Sequence, residues 1–219
     1  MTEQTVAAEA PLEHLWYELM NTTLGEQWLS SPDIKQQAAQ WFKALVSAYE
    51  EAHRSYHTLE HIASMLNLLN AANIDDVAAH WAVWFHDYIY QPGAKDNESL
   101  SAAVAQEVME SLGVKTSIIL RATAIILATK SHLPPVNSDE AFKAVLDADM
   151  AILGSEPSEF QTYSNRVRAE FRRVPTLLYK IGRRKFLRDV LQQPRIFHTE
   201  WFFERFEQQA RANLLKALK

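Results

Sequence analysis

The chain has no cysteine among its 219 residues, which removes disulfides, thiolate metal sites and a cysteine nucleophile together. Any metal must then be held by histidine and carboxylate, a donor set suited to hard or borderline ions. Glycine is scarce, at five, and no segment alternates apolar and polar residues, so a sheet has little to build on. No apolar run is long enough to cross a bilayer. The opening MTEQTVAAEA also lacks the basic flank and apolar stretch of a secretory signal. A cytoplasmic location and no membrane partner are therefore expected. With 47% apolar and 22% charged residues, the composition is that of a folded globular chain and not of a disordered one.

Charge is short of one sign almost everywhere, with a single exception. The total is −5, yet Arg166 to Arg195 holds ten Lys/Arg against only Glu170 and Asp189, a local +8 that leaves −13 for the rest. An acidic protein with one basic segment is a poor candidate for broad nucleic-acid binding. The segment is read as a solvated helix face with snorkelling arginines, or as a lure for a phosphate-bearing ligand or an acidic partner.

What is abundant is helical periodicity. Helices are expected from about Leu12 to Leu24, from Pro32 (capped by Ser31) to about Glu51, and from Thr58 to about Ala71. The next runs from Asn73 or Asp75 through Asp87 to about Tyr90, and another from Asp96 to a stop at Gly113. Further helices are expected at about Thr116–Ser131, Ser138–Leu153, and from about Pro157, Pro175 and Thr199. No linker or repeat divides the chain. The expectation is an all-α protein of about ten helices, with residues 1–10 disordered and 11–219 forming one domain.

Polar residues on apolar helical faces mark the candidate site. Asp149 has Val145, Leu146, Ile152 and Leu153 three and four residues away, which places it toward the core. Asp147 has Lys143, Ala144, Met150 and Ala151 and is expected nearer the edge. His86 and Asp87 sit in AAHWAVWFHDYIY, where two adjacent polar groups are a misfit. A buried carboxylate without a partner is costly, and one cation answers the needs of all three. Upstream, His57 and His61 in HRSYHTLEH are four apart and share a face of a helix.

A first histidine, a His-Asp doublet and a later aspartate in an Ala-Asp context resemble the HD superfamily of metal-dependent phosphohydrolases. The pieces DNESLSA, ATKSH, LDADMAILG and PRIFHTEWF are similar to a family of small predicted HD phosphohydrolases, over roughly Leu15 to Ala212. The resemblance implies one HD-type helical domain and makes His57, His86, Asp87 and Asp149 the metal ligands. It implies one divalent ion (Mn, Fe, Co, Ni, Zn or Mg), with His61 and His132 available to a second ion or to an outer layer. Such an ion lowers the pKa of water and neutralises charge on phosphoryl oxygens. Asp87 then acts on the water, and the substrate is a small phosphorylated compound, a nucleotide among the candidates.

Around these residues, Glu98 is a second candidate for catalysis, and Asn97 and Ser101 for substrate binding, in the segment after the doublet. Arg54 and Lys130 are candidate phosphate contacts because they flank site histidines. Their ordinary alternative is a helix start and surface charge. Three rival functions remain open: a non-catalytic metal- or nucleotide-binding module of the same fold, a di-iron oxygenase, and a zinc protease reading of His57-Thr-Leu-Glu60-His61 as H-x-x-E-H. Oligomeric state cannot be read from the sequence.

Overall fold

The computed structural model describes the backbone of residues 3–219 and the side chains of residues 11–219. The expectation of disorder over residues 1–10 lies outside the residues described in full. Among the described residues the chain is all-helical, with eleven α-helices and no strand. They are α1 (Glu3–Leu24), α2 (Glu26–Ser30), α3 (Pro32–Tyr49), α4 (Leu59–Ala71), α5 (Val77–Phe85), α6 (Asn97–Ser111), α7 (Thr116–Thr129), α8 (Glu140–Met150), α9 (Pro157–Glu170), α10 (Thr176–Leu191) and α11 (Glu200–Ala217). A 3₁₀ turn, Ala151–Gly154, follows α8 directly. The short α2 is the element that periodicity alone does not reveal.

Several ends form by local chemistry. Ser31 Oγ accepts from Ile34 N at 3.3 Å with Pro32 in the first turn of α3. Thr199 and Asp76 cap α11 and α5 in the same way, satisfying N–H groups that a helix start leaves unpaired. At the end of α6, Gly113 has φ +75°, Val114 N donates to Met109 O and Gly113 N donates to Glu110 O. This pair of bonds closes the helix, and the left-handed backbone favours glycine there.

The hub is α5, VAAHWAVWF, in which every residue but Val77 and His80 is buried. It packs against α1, α4, α6, α7 and α8. Trp16 of α1 lies edge-on to Trp81 and Trp84 at centroid distances of 5.4 and 5.5 Å. Its indole N–H donates to Ala38 O at 2.9 Å, so the ring is buried without an orphan donor. A helix apolar on nearly all sides must lie in the middle of the protein, and its C-terminal end delivers His86.

One correction concerns that end. The helix expected to run to about Tyr90 stops at Phe85, with His86 as its C-cap and Asp87 in the turn beyond. Carbonyls here are taken by side chains: Tyr49 OH donates to Trp84 O, and Arg54 donates to Asp87 O and Tyr88 O at 2.7 and 2.8 Å. Backbone acceptors satisfied from outside need no further helical turn.

The start of α8 carries a pH-dependent contribution. Asp139 accepts two bonds from the Arg121 guanidinium, at 2.6 and 2.7 Å, and one from Phe142 N. The Arg121 bonds, with the helix N–H, hold its carboxyl down to about 2. A depressed carboxyl stabilises the fold fully above its unfolded value near 3.8 and loses that contribution as pH falls through about 2. Asp139→Asn is therefore expected to lower the melting temperature at pH 7, with the gap to wild type closing on acidification toward pH ~2. A gap unchanged across that range would show that the pair does not matter.

Candidate metal centre

Four parts of the chain bring their polar groups together: the entry to α4, the end of α5, the turn after α7, and α8. His61 lies in the first turn of α4, and its Nε2 stands 3.3 Å from His86 Nε2 and 3.2 Å from Asp149 Oδ1. His86 Nε2 is 3.1 Å from Asp87 Oδ2 and 3.9 Å from Asp149 Oδ1. His132 Nε2 lies 2.9 Å from the other Asp149 oxygen. His61, His86 and Asp87 form the tight group, each offering one donor atom within 4.8 Å of the others, and could hold a metal ion.

Protonation is set from behind. His86 Nδ1–H donates to Val83 O at 2.9 Å, so in the neutral ring the Nε2 lone pair faces Asp87, Asp149 and His61. Lone pairs and carboxylate oxygens at these distances repel unless a proton or a cation lies between them. Burial pulls the His86 imidazolium down, but the Asp87 and Asp149 carboxylates outweigh it and raise the ring to about 9. Burial alone would raise Asp87 and Asp149; instead His86 and His57 hold Asp87, and His132 and His61 hold Asp149, well below the usual carboxylate range. A field that retains a proton so strongly is the field a divalent cation needs, and three nitrogen and oxygen donors within reach fit such an ion.

Of the residues singled out in the sequence, His61, His86, Asp87, His132 and Asp149 come together, with two changes of rank. His61, expected as an extra, is in the centre. His57, expected as the first ligand, lies just ahead of α4 and not on it, at a ring-centroid distance of 5.9 Å from His61. Its Nδ1–H donates to Glu170 Oε2 at 2.7 Å, which leaves Nε2 as the free donor. A carboxylate behind an imidazole is the usual way to fix a ligand histidine. Glu170, from the end of α9, also accepts from Ser55 N, Tyr56 N and His57 N, and Tyr90 OH donates to it at 2.8 Å. Burial would raise its carboxyl, but the His57 bond and charge hold it at about 2. Sequence reasoning did not find Glu170; the signal available was an acid standing nearly alone in the basic run.

His132 adopts φ +54°, a left-handed conformation costing a β-carbon residue about 1–2 kcal/mol. Strain of this kind persists where surrounding structure holds it. Here His132 N donates to Ala128 O and the His198 ring donates to His132 O at 2.9 Å. His198, left out of the sequence-based site, thus supports it from outside.

Asp147 is the clearest correction. Expected nearer the edge, it is fully buried (0% exposed). Its oxygens accept from His198 N, Thr199 N and Thr199 Oγ1 at 2.7, 2.8 and 2.8 Å. It anchors the start of α11, which local periodicity cannot foresee.

Three proposed substrate contacts are structural. Arg54 is buried, and its guanidinium is spent on Glu51, Asp87 O and Tyr88 O while lying over the rings of Tyr49 and Tyr90. With His57 O also accepting at 3.3 Å, four of its five N–H groups are committed within the protein. The Asn97 amide closes on both the N–H and the carbonyl of Gln91, and Ser101 Oγ on those of Ile89. All three fix the turn that carries Asp87. Lys130 is exposed, donates to Lys95 O and lies 3.8 Å from Glu98 Oε2. That Glu98 oxygen is buried without a hydrogen-bond partner among the described residues.

Glu60 is the base that the protease reading requires. Its side chain is 66% exposed and pairs with Arg166 at 2.7 Å, and it shares the wall of one cavity with His61. A cavity of about 550 Å³ between α1, α4 and α5 contains none of the clustered residues, whereas one of about 280 Å³ has His61 and Tyr56 in its wall. Comparison of the chain with protein-family models, curated proteins and solved structures finds no significant match.

Proposed function

We propose that this protein is a metal-dependent phosphohydrolase of the HD type, acting on a small phosphorylated compound. The observation that carries the reading is the convergence of His61, His86 and Asp87 on one point, with Asp149 bridging His61 and His132 beside it. His57, His61, His86, Asp87 and Asp149 would hold one divalent ion, with His132 at its margin. Bound there, the ion would supply Lewis acidity toward a phosphoryl oxygen and a lowered pKa for water.

The chain's own residues supply the rest. Arg54, Asn97 and Ser101 lock the turn so that Asp87 is held in place, and preorganisation of this kind is what a reacting geometry requires. Asp87 takes the proton from the attacking water at a carboxylate oxygen. Lys130 is the one remaining cation of the original phosphate contacts and meets the substrate at the exposed side, with Glu98 beside it to exchange a proton with the leaving group. A nucleotide is a candidate substrate because a cavity of about 280 Å³ with His61 in its wall gives room for an organic part beside the proposed ion site.

A second reading, a module that holds metal without turnover, shares every ligand, because fold and site do not by themselves establish catalysis. The test is metal content by elemental analysis on wild type beside Asp87→Ala, followed by a phosphate-ester screen with the metal found. About one equivalent, lost in the variant, with metal-dependent release of phosphate, supports the hydrolase. Metal without phosphate release from any ester class supports the binding module. Absence of metal after reconstitution would overturn both. Two equivalents of iron with a visible absorption band would favour an oxygenase.

A further inference from the structure

We infer that α10 and the turn before it form a surface that docks on anionic phospholipid. This rests on exposed side chains outside the proposed ligand set and is independent of the proposed hydrolysis.

The basic segment singled out by its charge divides in two. Arg166, Arg168, Arg183, Arg184, Lys185 and Arg195 are committed to partners within the protein. Arg172, Arg173, Lys180 and Arg188 are exposed and have no side-chain hydrogen bond or ion pair among the described residues. A solvated face with every arginine snorkelling over its own protein does not describe these four.

The same helix exposes aliphatic side chains. Leu177, Leu178 and Ile181 are 70%, 59% and 58% exposed, whereas Leu187 and Val190 face inward and are buried. Leu177, Ile181 and Arg188 are spaced four and seven residues apart, so they form one outward stripe, apolar at its start and cationic at its end. Water contact with three neighbouring large aliphatics is unfavourable, and such patches mark interaction surfaces.

Charge and shape select the occupant. An isologous second copy would set this cationic stripe against itself, which is repulsive. The depression on this face, of about 420 Å³, has Ile181 as its one apolar lining residue beside Arg184, Lys185 and Arg188, so it offers a peptide no hydrophobic seat. An anionic bilayer surface needs no groove: aliphatic side chains enter the acyl boundary while Lys and Arg meet lipid phosphates. The expectation of no membrane partner came from the lack of a spanning run, and no helix among the described residues is long and apolar enough to cross a membrane. Lying on a membrane is a separate property.

The experiment is co-sedimentation of the full-length protein with unilamellar vesicles of phosphatidylcholine, with and without phosphatidylglycerol. Binding is expected only to the anionic vesicles, with release as salt is raised. Leu177→Ser/Ile181→Ser and Lys180→Glu/Arg188→Glu should each lower partitioning by about tenfold or more, with unchanged melting curves because all four positions are exposed. Equal binding to neutral vesicles, no binding, or variants that bind like wild type would each overturn the inference. So would concentration-dependent self-association by light scattering, abolished by the same variants without any vesicle binding, since the occupant would then be a second copy.

Discussion

Alanine at Asp149 is expected to leave a folded protein that no longer retains a divalent metal, while alanine at Asp147 is expected to leave a metal centre on a weakened fold. The two residues are neighbours on one helix, but they answer to different partners. Asp149 faces His61, His86 and His132. Outer partners of a metal ligand are worth about 10–100-fold in affinity, so removing a direct ligand should cost more than about a hundredfold. Phosphate release should fall with it. Asp147 instead holds the backbone of His198 and Thr199 and the Thr199 hydroxyl. Its loss removes a helix anchor and leaves buried donors unpaired, roughly 2–4 kcal/mol. For a chain of this size that lowers the melting temperature by roughly 4–16 °C. Calorimetry and metal titration on both variants decide the matter. If Asp147→Ala loses metal at full stability, the assignment of these two carboxylates is reversed.

That pair also shows what the sequence can and cannot disclose. Neighbours at three and four residues report which way a side chain points relative to its own helix; they turned Asp149 inward, where it is 13% exposed against 0% for Asp147. They say nothing about a segment from elsewhere that covers the remaining side, and the start of α11, some fifty residues on, does that to Asp147. Arg54 was misjudged for the same reason: it stands beside His57 in the chain, but its hydrogen bonds go to carbonyls 33 and 34 residues away. The helix boundaries were legible because Ser31, Pro32, Gly113, Pro157 and Thr199 act locally. The doublet was legible as a chemical misfit, since two adjacent polar groups at the end of so apolar a helix demand an explanation. Its departure from helical geometry was not, because distant side chains cause it.

Glu170→Gln is expected to weaken metal binding by about 10–100-fold while leaving the protein folded. In wild type the carboxylate accepts the His57 Nδ1–H, which keeps the Nε2 lone pair free. A glutamine can still accept from the Ser55, Tyr56 and His57 N–H groups through its oxygen, so the loop before α4 keeps its anchor. Its amide, however, presents N–H to the side where His57 and Tyr90 donate. The ring then relieves the clash of donors by moving its proton to Nε2, the atom that should face the ion. Glu170→Ala removes both functions at once, and should lower the melting temperature as well as the affinity because the backbone donors lose their acceptor. Competition titration against a metal indicator, with the melting curve of each metal-free variant beside it, separates the two effects. If the glutamine variant binds metal like wild type, His57 stands outside the coordination sphere and His61, His86, Asp87 and Asp149 are the whole ligand set. If its affinity falls with the melting curve unmoved, the proton on His57 is what Glu170 controls, and α9 belongs to the metal centre as surely as the helices that touch it.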